Sequence, residues 1–205
     1  MRSPLRRRGL AAALAVLALA VSACGSSGGG TKFAGITHDA YKVMPTALTD
    51  TDDQPYSLVT DTAKPLTLVF FGYTHCPDYC PMVMSNLASA MTRLDSADRK
   101  RVDVVFVTTD PSRDTTTVLR RYLDHYDKSF IGLTGPIDTI ASIAEPMAVY
   151  VAQGQKLPDG GYDLNTHSTQ VTAIGADNEA RVLWTMDTSS AQYAADIHAL
   201  LQKSA

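Results

Sequence analysis

The longest stretch with almost no polar character outside the N-terminus is Leu66-Thr67-Leu68-Val69-Phe70-Phe71, and Val102 to Val107 repeats the pattern. Runs of that length predict strands buried on both faces. Between them Met84, Leu87, Ala88, Met91 and Leu94 recur at helical spacing, predicting a helix from the Cys76–Pro81 turn to about Leu94. Thr115 to Tyr126 reads as a helix with Asp114 as its N-cap, Phe130 to Leu133 as a short strand, and Asp138 to Glu145 as a helix stopped near Pro146. Met147 to Val151 reads as a strand that starts with Pro146, a place where a cis peptide bond is an option. Val171–Ile174 and Arg181–Trp184 pair as a hairpin turning at Asp177-Asn178-Glu179, and Ala191 to Gln202 is a closing helix. Strands alternating with helices, then a hairpin and a helix, predict an α/β layered sheet. Only Gly154 to Ser168 escapes any period, and a turn-rich connection of that length points to a functional loop.

The N-terminus has a different pattern. Arg2, Arg6, Arg7 and Arg8 precede an apolar stretch, Gly9 to Ala20, which is short for a membrane span and has the layout of a secretory signal. Val21-Ser22-Ala23-Cys24 follows and resembles a bacterial lipobox, which implies lipidation of Cys24; an uncleaved anchor helix and an ordinary signal with an incidental cysteine are the alternatives. Gly25 to Thr31 is only Gly, Ser and Thr, the composition of a flexible tether. The chain thus divides into a signal (1–23), a lipidated cysteine with tether (24–38) and one domain (39–205), placed on the extracytoplasmic side of a cell membrane.

Charge narrows the partners. The whole chain carries −3, but its first 23 residues hold four arginines and no acid, so the remainder has 14 basic against 21 acidic residues, or −7. Such a domain has no electrostatic footprint for nucleic acid. If Cys24 carries lipid, Cys76 and Cys80 are the remaining thiols in an oxidising compartment. A bridge between them would close almost no loop and stabilise little through chain entropy. Redox chemistry or metal binding explains the pair better. At a strand-to-helix junction the helix N-terminus favours the thiolate, which is both a nucleophile and a soft metal ligand. Pro81 suits the first helical turn.

Phe70-Phe71-Gly72-Tyr73-Thr74-His75-Cys76-Pro77-Asp78-Tyr79-Cys80-Pro81 resembles, almost residue for residue, the signature of the Sco/SenC family. Asp110-Pro111-Ser112-Arg113-Asp114-Thr115 and Gly132-Leu133-Thr134-Gly135 are similar to two further family blocks. The resemblance covers roughly Tyr41 to the C-terminus. It implies a thioredoxin-like fold with an inserted loop before the C-terminal hairpin, and copper, Cu(I) or Cu(II), bound by two cysteines and one histidine. Carried over, the ligands are Cys76, Cys80 and His167. It also implies a role in assembling the dinuclear copper site of cytochrome c oxidase, with that enzyme's copper-bearing subunit and other copper chaperones as partners. Many relatives have an aspartate just before the histidine; here Thr166 stands there and Asp163 lies four residues upstream of His167. Two thiolates and an imidazole suit Cu(I), and Asp78 is a candidate extra ligand for Cu(II), against a plain reading as a solvated turn residue. Structural zinc would want a fourth protein ligand.

The remaining candidates have plainer explanations. His75, His38, His125 and His198 read as loop or surface histidines, Met44, Met82, Met84, Met91, Met147 and Met186 mainly as core fillers, and Trp184 as core. Asp110 and Arg113 read as an ion pair bracing the loop. A copper chaperone is the first function. A thiol–disulfide oxidoreductase using Cys76 and Cys80 as its redox pair is the second, a copper or redox sensor another. A peroxidase lacks its expected cysteine environment. Three residues between the cysteines, where thioredoxin-type enzymes have two, and a distant histidine both favour metal over exchange.

Overall fold

The computed structural model describes residues 33–62, 64–152 and 167–203, within a unit spanning Lys32–Ala205. The signal, Cys24, Asp163 and Thr166 lie outside the described residues, as does most of the Gly154–Ser168 loop. The two apolar runs form the centre of an eight-stranded sheet: β4 (Leu66–Gly72) and β5 (Val102–Thr108) run parallel, in register from Leu66 opposite Val102 to Gly72 opposite Thr108. All fourteen of their residues are buried. Because strand side chains alternate, each run feeds two cores. Leu66, Leu68, Phe70, Val104 and Phe106 face one layer of helices, and Val69, Phe71, Val105 and Val107 face the other. β6 (Ile131–Thr134) lies parallel to β5; β7 (Val171–Gly175) lies antiparallel to β4 and is followed by β8 (Glu179–Trp184). β1 (Ile36–Lys42) pairs with β8 at one edge, and β2 (Leu48–Asp50) and β3 (Pro55–Tyr56) close the other.

Helices cover both faces. α1 (Tyr79–Arg93) buries Cys80, Val83, Met84, Leu87, Ala90 and Met91, a stripe at three- and four-residue spacing. It shares its core with α3 (Thr116–Leu123), through Leu119 and Leu123, and α5 (Ser190–Lys203), through Tyr193, Ile197 and Leu201, around buried Trp184. α2 (Ser96–Arg99) is one turn capped by Asp95. α4 (Ile137–Ala144) packs on the opposite face with Met147. No described helix is long and apolar enough to cross a membrane.

Some expectations need correction. The predicted strand Met147–Val151 is instead a 3-10 turn, Glu145–Met147, followed by Ala148 in the left-handed region at φ 55° and one bridge pairing Val151 with His167. Every described peptide bond is trans. α3 is capped by Thr115, whose hydroxyl accepts from the Val118 amide at 3.3 Å, and not by Asp114, whose carboxylate has partners elsewhere. β1 to β3 and α2 were not anticipated. The end of the segment read as tether, Ile36–His38, lies in β1. Just before it, the Ala34 and Gly35 amides donate to Asp196 Oδ2 at 2.9 and 2.8 Å, and the Trp184 indole donates to the same oxygen at 2.8 Å. That buried carboxylate fastens the start of the domain to α5 and β8.

Candidate metal centre

β4 delivers the chain to its C-terminal end at Gly72, and the next six residues turn it into α1. Gly72 is required by a close approach: a Cβ there would stand 3.0 Å from Cys80 Sγ and from the Phe70 ring. Cys80, in the first turn of α1, is fully buried, whereas Cys76 in the turn is half-buried; both thiols are free. The Cys76 amide donates to the Tyr73 carbonyl at 3.3 Å and closes the turn. Asp78 occupies the N-cap of α1 yet makes no capping hydrogen bond with its side chain. The Cys76 sulfur takes that role, receiving the Cys80 amide at 3.5 Å.

The two sulfurs are therefore unequal. A hydrogen bond from the Cys80 thiol, joined by the amides of Cys80, Asp78 and Tyr79, lowers Cys76 from its ordinary value near 9 to about 5, against an opposing effect of burial. The same thiol–thiolate bond, together with burial, pushes Cys80 far up. The environment thus favours the ionised form at half-buried Cys76 and the protonated form at buried Cys80.

A buried carboxylate sets the turn from behind. Asp114, without exposed surface, accepts from the Thr74 amide at 2.9 Å, the Thr74 hydroxyl at 2.6 Å and the Thr108 hydroxyl at 2.7 Å. It thereby ties the residues before Cys76 to the end of β5. His75 Nδ1 hydrogen-bonds Thr74 Oγ1 at 3.0 Å and stands 3.7 Å from the Asp114 carboxylate. Asp110 and Arg113 form the expected ion pair, and the Arg113 charge reaches Tyr73. Sequence reasoning took Asp114 for a cap; the two threonines able to serve it, Thr74 and Thr108, were the available signal.

His167 comes from the segment leading into β7, the strand beside β4. It is held by its bridge to Val151, by the Ser168 amide donating to the Tyr150 carbonyl at 2.9 Å, and by the Tyr150 amide donating to Ser168 Oγ at 3.0 Å. Its Nδ1 lies 2.9 Å from the Ser168 carbonyl. A carbonyl only accepts, so Nδ1 carries the proton and Nε2 of the neutral ring keeps its lone pair. The imidazole meets the Tyr73 ring edge-to-face, centroids 5.6 Å apart at 81°. Cys76, Cys80 and the Tyr73–His167 contact thus lie at one end of the sheet. Among the described residues, though, no three His, Cys, Asp or Glu side chains are already arranged to hold a metal ion.

The other candidates fall where their plainer readings put them, except Met44 and Met82, which were read as core fillers and lie exposed. His38 stacks on Tyr41, His125 hydrogen-bonds the Arg121 carbonyl, and His198 pairs with Asp98. Met84, Met91 and Met147 are core, and Met44 and Met82 are exposed. Asp78 is exposed at the mouth of α1. The residue that reading by sequence missed is Tyr73.

The SCO1/SenC family profile matches residues 36–202. The mitochondrial SCO1 homolog of Homo sapiens is 30% identical over 135 residues, 61% of this chain and 44% of that protein. The chain spans 35% to 64% of the length of the first curated relatives it matches. Apo Sco1 of Thermus thermophilus superposes with a TM-score of 0.73 at 29% identity, covering 82% of this chain and 97% of that one. Copper-bound ScoI of Bradyrhizobium japonicum does so at 0.67 and 28%, covering 77% and 98%. These matches bear out the thioredoxin-like α/β domain.

Proposed function

Because the chain belongs to the SCO1/SenC family, we propose that it is an extracytoplasmic copper chaperone whose ligands are Cys76, Cys80 and His167. The observation that carries this reading is geometric: two free thiols at the mouth of α1, with the Cys80 amide donating to Cys76 Sγ, stand beside a Tyr73 ring that meets the His167 imidazole. That donor set fits copper. One soft anionic sulfur is ready to receive a cation, the second becomes anionic by losing its proton, and the neutral imidazole keeps Nε2 for coordination. The Ser168 carbonyl orients the ring, a task that a carboxylate beside the histidine performs in many metal sites. Bradyrhizobium japonicum ScoI, a relative at 28% identity, carries copper. Sco proteins are a family of cytochrome c oxidase assembly proteins, so the copper-bearing oxidase subunit is the proposed recipient and other copper chaperones the proposed donors. Exposed Tyr79 and Met82 beside the cysteines, and Tyr150 beside His167, give that face the apolar surface a partner could cover. In the same reading residues 1–23 direct export, lipidated Cys24 anchors the chain, and 24–38 lead to the sheet, the last of them within β1.

The test is anaerobic copper titration of the reduced full-length protein, read by thiolate-to-Cu(II) charge transfer and by Cu(I) competition. The parent is expected to bind one copper. His167→Ala should lower affinity by at least about tenfold while leaving a Cys76–Cys80 pair that still oxidises and reduces. Parent-like binding by that variant would sink the three-ligand reading.

A second reading is favoured by the inequality of the thiols. In thiol–disulfide exchange the Cys76 thiolate attacks a partner's disulfide and releases one partner thiolate, which takes a proton. Cys80 then gives up its proton and attacks Cys76 Sγ, freeing the second partner thiol. The partner is reduced by two electrons, the domain is left as a Cys76–Cys80 disulfide, and an external dithiol must reset it. Both uses need the reduced pair. The reduction potential of the pair separates an exchanging disulfide from an inert one.

A further inference from the structure

Tyr73 touches both halves of the centre, and no step above uses it. It is 5% exposed and follows β4 directly. Its neighbours are fixed on both sides: the Gly72 carbonyl receives the Thr109 amide at 2.7 Å, and the Thr74 amide and hydroxyl are held by Asp114. Its own carbonyl receives the Cys76 amide at 3.3 Å, and its ring meets the His167 imidazole edge-to-face.

We propose that Tyr73 is a positioning residue of the copper centre, holding the backbone of Cys76 through its carbonyl and the imidazole of His167 through its ring. The proposal rests on the reading of Cys76, Cys80 and His167 as ligands. The cysteines and the histidine belong to segments about ninety positions apart, and the Tyr73 ring, beside the cysteine turn, meets the imidazole of the other segment. One aromatic side chain on a rigid stem thus bears directly on how the two halves stand. Edge-to-face contact between rings is directional, so the ring fixes how the imidazole stands as well as how far away it is.

Two substitutions test the ring. Tyr73→Phe keeps the ring against His167, and Tyr73→Leu removes it. In the full-length protein the Cu(I) affinity of Tyr73→Phe should stay within about threefold of the parent, a rescue by shape that a hydroxyl role would not give. Tyr73→Leu should lose about tenfold or more in Cu(I) affinity, and should cost nothing further in a His167→Ala background, since a residue acting through the histidine has nothing left to act on.

A loss of Cu(I) affinity in Tyr73→Phe as large as that in Tyr73→Leu would overturn the role of the ring. Additive losses in Tyr73→Leu/His167→Ala would overturn the role of the ring. If His167→Ala alone binds copper like the parent, the ligand reading fails, and the ring role falls with it. Should Tyr73→Leu not fold, the ring-current shifts of the His167 imidazole protons in the apo parent decide, and unshifted protons would overturn the role of the ring.

Discussion

Cys76 and Cys80 have the same side chain and opposite states, and position alone divides them. Cys76 stands where three backbone amides and one thiol can donate to it; Cys80 lies under Gly72, where an anion would be desolvated. A thiol whose folded pKa lies near 5 instead of 9 contributes stability that is fully present above pH 9 and is lost as pH falls through 5. The reduced protein should therefore gain stability from this group between pH 5 and 9. Above 9 the trend reverses for Cys80, which stays protonated in the fold while the unfolded thiol ionises. Urea midpoints at pH 5, 6, 7 and 8 for the parent and Cys76→Ser should converge toward pH 5, the parent's advantage growing as pH rises. Parallel curves would show that the Cys76 thiolate is not selectively stabilised by the fold.

At the scale of elements, the junction of β4 with α1 works because a third element supports it. Asp114 begins the approach to α3 and spends its carboxylate on Thr74 and Thr108. Asp114→Ala strands a buried amide and two hydroxyls, and should cost about 2–5 kcal/mol, seen as a lowered denaturation midpoint. Asp114→Asn, which retains an acceptor oxygen, should cost less. If Asp114→Ala is as stable as the parent, the brace is dispensable. This residue also marks where legibility in sequence ends. β4, β5 and α1 could be read because burial forces their patterns, and the cysteine pair because its spacing and junction are local. Asp114 and Thr115 are both good cap residues standing side by side, and what decided between them was Thr74, forty positions away. β1 is mostly exposed and β2 and β3 have three and two residues, so neither burial nor length left a period. The strand expected at Met147–Val151 has the right residues, but its pairing is limited to Val151 with His167. Tyr73 was invisible as a functional residue because its importance is a contact with His167.

For the whole molecule, the sheet is a set of parallel strands extended by antiparallel ones, and the last added, β1, is fastened by one acid. Asp196 accepts two amides and an indole while only 1% exposed, so its charge is matched by three donors. Asp196→Ala leaves those donors without their buried acceptor and should release the Ala34 and Gly35 amides to fast hydrogen exchange, with β1 following, while amides in β4 and β5 keep the parent's protection. Uniformly faster exchange would mean that β1 is part of the global unit and not a separately opening edge.

That fastening has a mechanical meaning. A pull applied at residue 33 is met first by the two amides on Asp196, and then by the β1–β8 ladder, where Ile36 faces Leu183 and Thr37 faces Val182. From there the load passes to β7 through Trp184 and Val171, and to β4 through Val171 and Phe70. Three strands, β1, β8 and β7, stand between the point of traction and the strand that leads to Cys76. Tension on the domain's N-terminal side is spent on opening a sheet edge before it can distort the sulfurs, so strain at residue 33 and the geometry around Cys76 are insulated from each other.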